Sequence, residues 1–64
     1  MRDGDTFVSA EDIGNGERLE RVINKGGQPY SLILVNGIER ASCPTQDEAM
    51  MLAWWAREGR KMYE

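Results

Sequence analysis

Residues 45–63 read TQDEAMMLAWWAREGRKMY, and the fold turns on how this stretch is read. It holds both tryptophans and three of the four methionines. It opens with helix-start signals. Pro44 ends whatever precedes it, and Thr45 with Glu48 three residues on has the Thr-x-x-Glu form of a capping box. Asp47 and Glu48 lie near the N-terminus, and Arg57, Arg60 and Lys61 lie near the C-terminus, as the helix dipole favours. The stretch therefore predicts one helix over about residues 45–61, with Gly59 either ending it early or tolerated within it. At 100° per residue, Ala49, Leu52, Ala53, Trp55, Ala56, Gly59 and Tyr63 share one broad face. Met51 and Met62 border that face. Met50 and Trp54, one turn apart, fall on the opposite side with Asp47, Arg57, Glu58 and Lys61. The expectation is that Trp55 is buried and Trp54 substantially exposed.

Immediately upstream, Tyr30 to Val35 is the most strand-like run, and Asn36-Gly37 after it is a hairpin signal of the type I′ kind. A two-residue loop predicts the pairs Val35–Ile38, Leu34–Glu39, Ile33–Arg40, Leu32–Ala41 and Tyr30–Cys43. One sheet face would then carry Tyr30, Leu32, Leu34, Ala41 and Cys43, and the helix is expected to pack there through Leu52 and Trp55. Ile33, Val35 and Ile38 would form a small apolar patch on the other face. Arg18 to Asn24 alternates like a strand, and Lys25-Gly26-Gly27-Gln28 reads as a turn. The expected fold is α+β: a three-stranded antiparallel sheet over about residues 18–43, covered on one face by the C-terminal helix. Residues 1–17 read as a loose acidic N-terminal arm held by Phe7 and Ile13, with Met1 to Asp5 frayed, Thr6 to Ser9 either adding an edge strand or tucking over the core, and a turn at Ile13-Gly14-Asn15-Gly16. Residues 18–64 form the single sheet-plus-helix domain.

Composition narrows the chemistry. Sixty-four residues make one small domain with a modest core. Cys43 is the single cysteine, which excludes an internal disulfide, and the sequence has no histidine. No zinc set of the usual kind and no Ser-His-Asp or Cys-His arrangement is then available. No apolar run approaches the ~18 residues of a membrane span, and acids interrupt any signal-like core at the N-terminus. A cytoplasmic location is expected. The net charge of −3 is unevenly placed: residues 1–17 hold five acids against Arg2, a net −4, and the remainder is +1. An acidic arm disfavours nucleic acid as a partner.

The short motifs read as ordinary structure. Asp3-Gly4-Asp5 would need Gly at Val8 and Glu at Gly14 to start a calcium loop. Gly14-x-Gly16 has Asp12 and Glu17 beside it, which repel phosphate. Cys43 alternates onto the core side, as a small buried hydrophobe does. Carboxylate neighbours such as Asp47 and Glu48 point apart on a helix. No cofactor or metal is expected, and the chain reads as non-enzymatic.

The surface feature with a functional reading is the Met50–Trp54 pair. Tryptophan is enriched in interface hot spots and methionine adapts to irregular partners. Arg57 and Lys61 would supply a polar rim. The expected partner-binding residues are Met50, Trp54, Arg57 and Lys61, with Ile33, Val35 and Ile38 as a second patch. The order strand, strand, Asn-Gly hairpin, strand, Pro44-Thr45 cap and helix, over Arg18 to Arg60, resembles the arm-type DNA-binding domains of phage tyrosine recombinases. The matching residues are Tyr30 and its strand, Val35-Asn36-Gly37, and Pro44-Thr45 with Glu48-Ala49. The resemblance implies a groove-facing sheet, on which Arg18, Arg21, Lys25 and Arg40 would meet nucleic acid. Because that face also offers Ile33, Val35 and Ile38, the first expectation is a small protein-binding module instead. Its size and plan are similar to those of phage-encoded accessory proteins that inhibit a host protein by occupying its surface. Nucleic-acid binding is the alternative, and a homodimer through the same patches is the third reading.

Overall fold

A computed structural model of the protein describes residues 3–63; the expectation for Met1 and Arg2 lies outside them. The protein is α+β. Among the described residues the strands are β1 (Thr6–Gly14), β2 (Glu17–Ile23), β3 (Pro29–Val35) and β4 (Ile38–Pro44). They form one antiparallel sheet in the order β1-β2-β3-β4. A 3-10 turn, Thr45–Asp47, leads into the helix α1 (Glu48–Arg57), and a second 3-10 turn, Gly59–Tyr63, follows it. No helix among the described residues is long and apolar enough to cross a membrane.

The sheet has four strands, not three, because the acidic N-terminal segment is part of it. β1 pairs along β2, with irregularities between Phe7 and Ser9 and between Asp12 and Gly14. Those two bulges interrupt the period-two pattern by which a strand is read. β1 is also an edge strand, so most of its side chains are exposed. Its acids lie opposite bases, Glu11 reaching Arg21 at 3.1 Å and Asp12 pairing in register with Arg18. Asn15 and Gly16 supply the positive φ values, 59° and 74°, of the β1–β2 turn, as Asn36 and Gly37 do at 52° and 83° for β3–β4. Gly16 carbonyl accepts the Asn36 N–H at 3.1 Å, which ties the two turns together at one end of the sheet.

The β3–β4 register follows the expected pairs only for Val35–Ile38 and Leu34–Glu39. It then shifts by one residue, giving Ile33–Ala41, Leu32–Ser42, Ser31–Cys43 and Tyr30–Pro44. Arg40 is the extra residue of this bulge. A one-residue slip moves every later side chain to the other face, so Ala41 and Cys43 join Ile33 rather than Leu32. The helix accordingly covers the face of Leu19, Ile33, Ala41 and Cys43, not the expected face of Leu32 and Leu34.

The helix is turned relative to the expected orientation as well. Met51 and Trp55 are its buried residues, while Ala49, Ala53 and Ala56 are exposed. Apolar burial scales with area, so a thioether and an indole displace three methyl groups from the interface. The core cluster is Leu19, Ile33, Met51 and Trp55, with Ile13, Val35, Leu52 and Trp54 packed partly against it. Val22 and Leu32 are buried on the opposite face. There Val22 lies between Phe7 and Tyr30 across the strands, and the Tyr30 hydroxyl donates to Asp5.

The capping box does not form. Asp47 precedes the helix without a side-chain cap. Thr45 Oγ1 and Ser31 Oγ are 3.1 Å apart, and Glu48 faces inward to the sheet.

Candidate protein-binding surface

Two ion pairs clamp the helical segment to the sheet and thereby set its outer surface. At its start, Arg21 meets Glu48 with two parallel bonds, Nε to Oε1 at 2.8 Å and a second nitrogen to Oε2 at 2.9 Å. Ser31, fully buried, donates to Glu48 Oε1 at 2.8 Å. Beyond the helix, Arg60 grips Glu17 in the same way, at 2.7 and 2.9 Å. These bonds favour the ionised carboxylates. Arg60 foremost, against the effect of burial, holds Glu17 below the usual carboxylate range, and Arg21 does the same for Glu48.

With the helix so held, Trp54 is half-buried rather than substantially exposed, and Trp55 is buried. Trp54 leans on Trp55 at a centroid distance of 6.2 Å. Gly59 closes the other side. A Cβ there would lie 2.7 Å from the Trp54 ring and 2.8 Å from that of Trp55, so only glycine lets both indoles approach. Beside Trp54, Met50 is 72% exposed. Met50, Met51, Trp54, Cys43, Ala41 and Arg40 border a shallow groove of about 450 Å³ between α1 and β4. Asp47 and Ser42 also line it. Cys43, half-buried in that groove, has its thiol pushed up, first by burial and then by the charges of Asp47 and Glu48.

Of the residues singled out in the sequence, Met50, Trp54 and the exposed Arg57 lie on the outer helix. Lys61 is exposed in the turn beyond it. The second patch does not exist as a surface: Ile33 is 0% exposed and belongs to the core. Val35 is half-buried, and Ile38 is exposed near the hairpin turn. The reason is the Arg40 bulge, which puts the helix on the Ile33 face. Among the basic residues, Arg21 is engaged by Glu48 and Glu11. Arg18 lies 3.4 Å from Glu20. Arg40 sits 4.7 Å over the Tyr63 ring, and Lys25 is exposed in the β2–β3 turn. They do not converge on one basic face. Sequence reading missed Ala41, Ser42 and Cys43 as groove residues, and the inward roles of Glu17 and Glu48. The signal for Glu17 was available, since it shares β2 parity with Leu19 and Arg21.

No family model, curated protein or solved structure matches the chain.

Proposed function

We propose that this protein is a small, non-enzymatic protein-binding module that acts by occupying a partner's surface, with Met50 and Trp54 at the centre of contact. The carrying observation is the seating of Trp54. Gly59 and Trp55 fix one side of its ring, and its other side borders the groove with Met50. A pre-positioned aromatic loses little freedom on binding, which is what a hot-spot residue needs. The partner that fits offers an apolar side chain to the groove and acidic groups to its rim. Arg40 lines the groove, and Arg57 follows Trp54 by three positions on the adjoining helix surface. Asp47 gives the groove one acidic end.

The ionisable groups support a binding role over catalysis. A general acid near neutrality needs a raised carboxyl and a nucleophilic cysteine needs a lowered thiol. Here Glu17 and Glu48 are shifted down and Cys43 up, each away from such use. The engagement of Arg18 and Arg21 with carboxylates likewise weighs against the nucleic-acid reading.

A photo-crosslinking residue at position 50 tests the proposal. It should capture a specific partner protein. With that partner purified, calorimetry should show Met50→Glu binding at least about tenfold more weakly, and Lys25→Glu binding normally. Crosslinks only between copies of this chain would replace the reading with self-association. Unchanged affinity of Met50→Glu would place the contact elsewhere.

A further inference from the structure

The turn Gly59–Tyr63, whose Gly59 backs Trp54, carries a second feature on its Glu17 side. Glu17 stands at the start of β2 with its side chain only 3% exposed. Its counter-ion comes from Arg60, in a turn that lies beyond α1 and outside the sheet. The buried Trp55 Nε1–H joins Arg60 in favouring the ionised form of the Glu17 carboxylate. Tyr63 stacks on Trp55 at 5.8 Å and 28°. An open groove of about 440 Å³ runs along these groups, lined by Asn15, Glu17, Val35, Trp55, Arg60 and Tyr63. A desolvated carboxylate beside aromatic rings is the chemistry that recognises a guanidinium, which binds the carboxylate with two parallel bonds and stacks on ring faces.

We propose that Glu17 and Trp55 form an arginine-binding site that the chain fills with its own Arg60, and that Gly59–Tyr63 is a cover which an arginine presented by a partner protein displaces. The placement of the parts carries this. A buried ion pair is a weak source of stability compared with apolar packing. Its retention between a sheet strand and a side-chain-fastened turn suits an exchangeable contact. Tyr63 contributes one more such fastening, its hydroxyl donating to the Arg40 carbonyl at 3.3 Å, and its ring lies under the Arg40 guanidinium. Opening the turn bares the Glu17 carboxylate and the Trp55 ring together.

Two measurements decide it. In Arg60→Ala, added ethylguanidinium should raise the melting midpoint saturably and change Trp55 fluorescence. Ethylammonium at equal ionic strength should do neither, and the double variant Glu17→Gln/Arg60→Ala should ignore both. A response common to both cations, or one surviving Glu17→Gln, overturns the site. In the wild-type protein, the Trp55 Nε1 proton should exchange with solvent at least about tenfold faster than the amides of Leu19 and Ile33, because the cover opens without global unfolding. Equal rates overturn the displaceable cover. If Arg60→Ala does not fold, Arg60→Gln takes its place in the same titration, and the wild-type exchange rates still test the cover.

Discussion

At Gly59 the space for a side chain is already occupied by two indole rings. The residue needs no positive φ; what it supplies is the missing Cβ, which would lie 2.7–2.8 Å from Trp54 and Trp55. Gly59→Ala should therefore destabilise the protein by about 1–3 kcal/mol, the cost of forcing a methyl into a packed site. A helix-propensity argument predicts the opposite sign, since alanine is the better helix former, so a thermal melt separates the two. Trp55→Ala, which empties the core cluster, should cost about 3–5 kcal/mol. Trp54→Ala should fall between this and a surface change, at roughly 2 kcal/mol, because its ring is partly packed against the core. Met50→Glu should shift stability by less than about 0.5 kcal/mol, which makes Met50 the cleaner probe of binding. The two tryptophans were distinguishable in the sequence by angle alone, and Trp55 is inside as the spacing implies. The degree of Trp54 burial was not legible, because it depends on Gly59 being folded back by the turn after α1.

Among the elements, β4 shows how one residue redirects the molecule. Its first pairs with β3 are those of a plain two-residue hairpin, and Arg40 then drops out of the ladder. Removing Arg40 would leave Ile33–Ala41, Leu32–Ser42 and Ser31–Cys43 paired as they are, now in an unbroken register. The deletion variant should thus keep its fold and lose less than about 2 kcal/mol, mainly through the contact with Tyr63. Inserting an alanine between Ala41 and Ser42 should be far worse, since it turns Cys43 away from the helix. Denaturant melts of the two variants check this, and equal damage from both would refute the bulge as the source of the register. A bulge of this sort leaves no mark in residue type: Glu39-Arg40 is as ordinary in a regular strand as in an irregular one. The N-terminal strand is a different case. Asn15-Gly16 carries the same type I′ signal as Asn36-Gly37, and the run before it contains Phe7, Val8 and Ile13. Its acids favoured a loose arm only while their partners on β2 were unseen, and the Arg21–Glu11 pair supplies one such partner.

Over the whole molecule, one sheet and one short helical segment are fastened at two points, Arg21–Glu48 at the first residue of the helix and Glu17–Arg60 after it ends. A chain of this size has only a small margin of stability, so both points should be visible in its pH dependence. Each carboxyl is held below its usual 4.5 in the folded protein, Glu17 by Arg60 and Glu48 by Arg21. The unfolded chain thus takes up these protons first as acid is added. The stabilisation from each pair is fully present above pH 4.5 and is lost as the pH falls through the folded value of that carboxyl. From pH 7 down to about 5, these two groups should add no slope to the unfolding free energy. Below that, each should contribute a fall of at most about 1.4 kcal/mol per pH unit. Glu17→Gln should lower stability at pH 7 and remove one such share of the acid slope, and Glu48→Gln should remove another. Urea melts between pH 3 and 7 provide the comparison. A steep slope between pH 5 and 7, or an acid slope unchanged in both variants, would show that other carboxylates govern acid unfolding and that the two clamps are incidental to it.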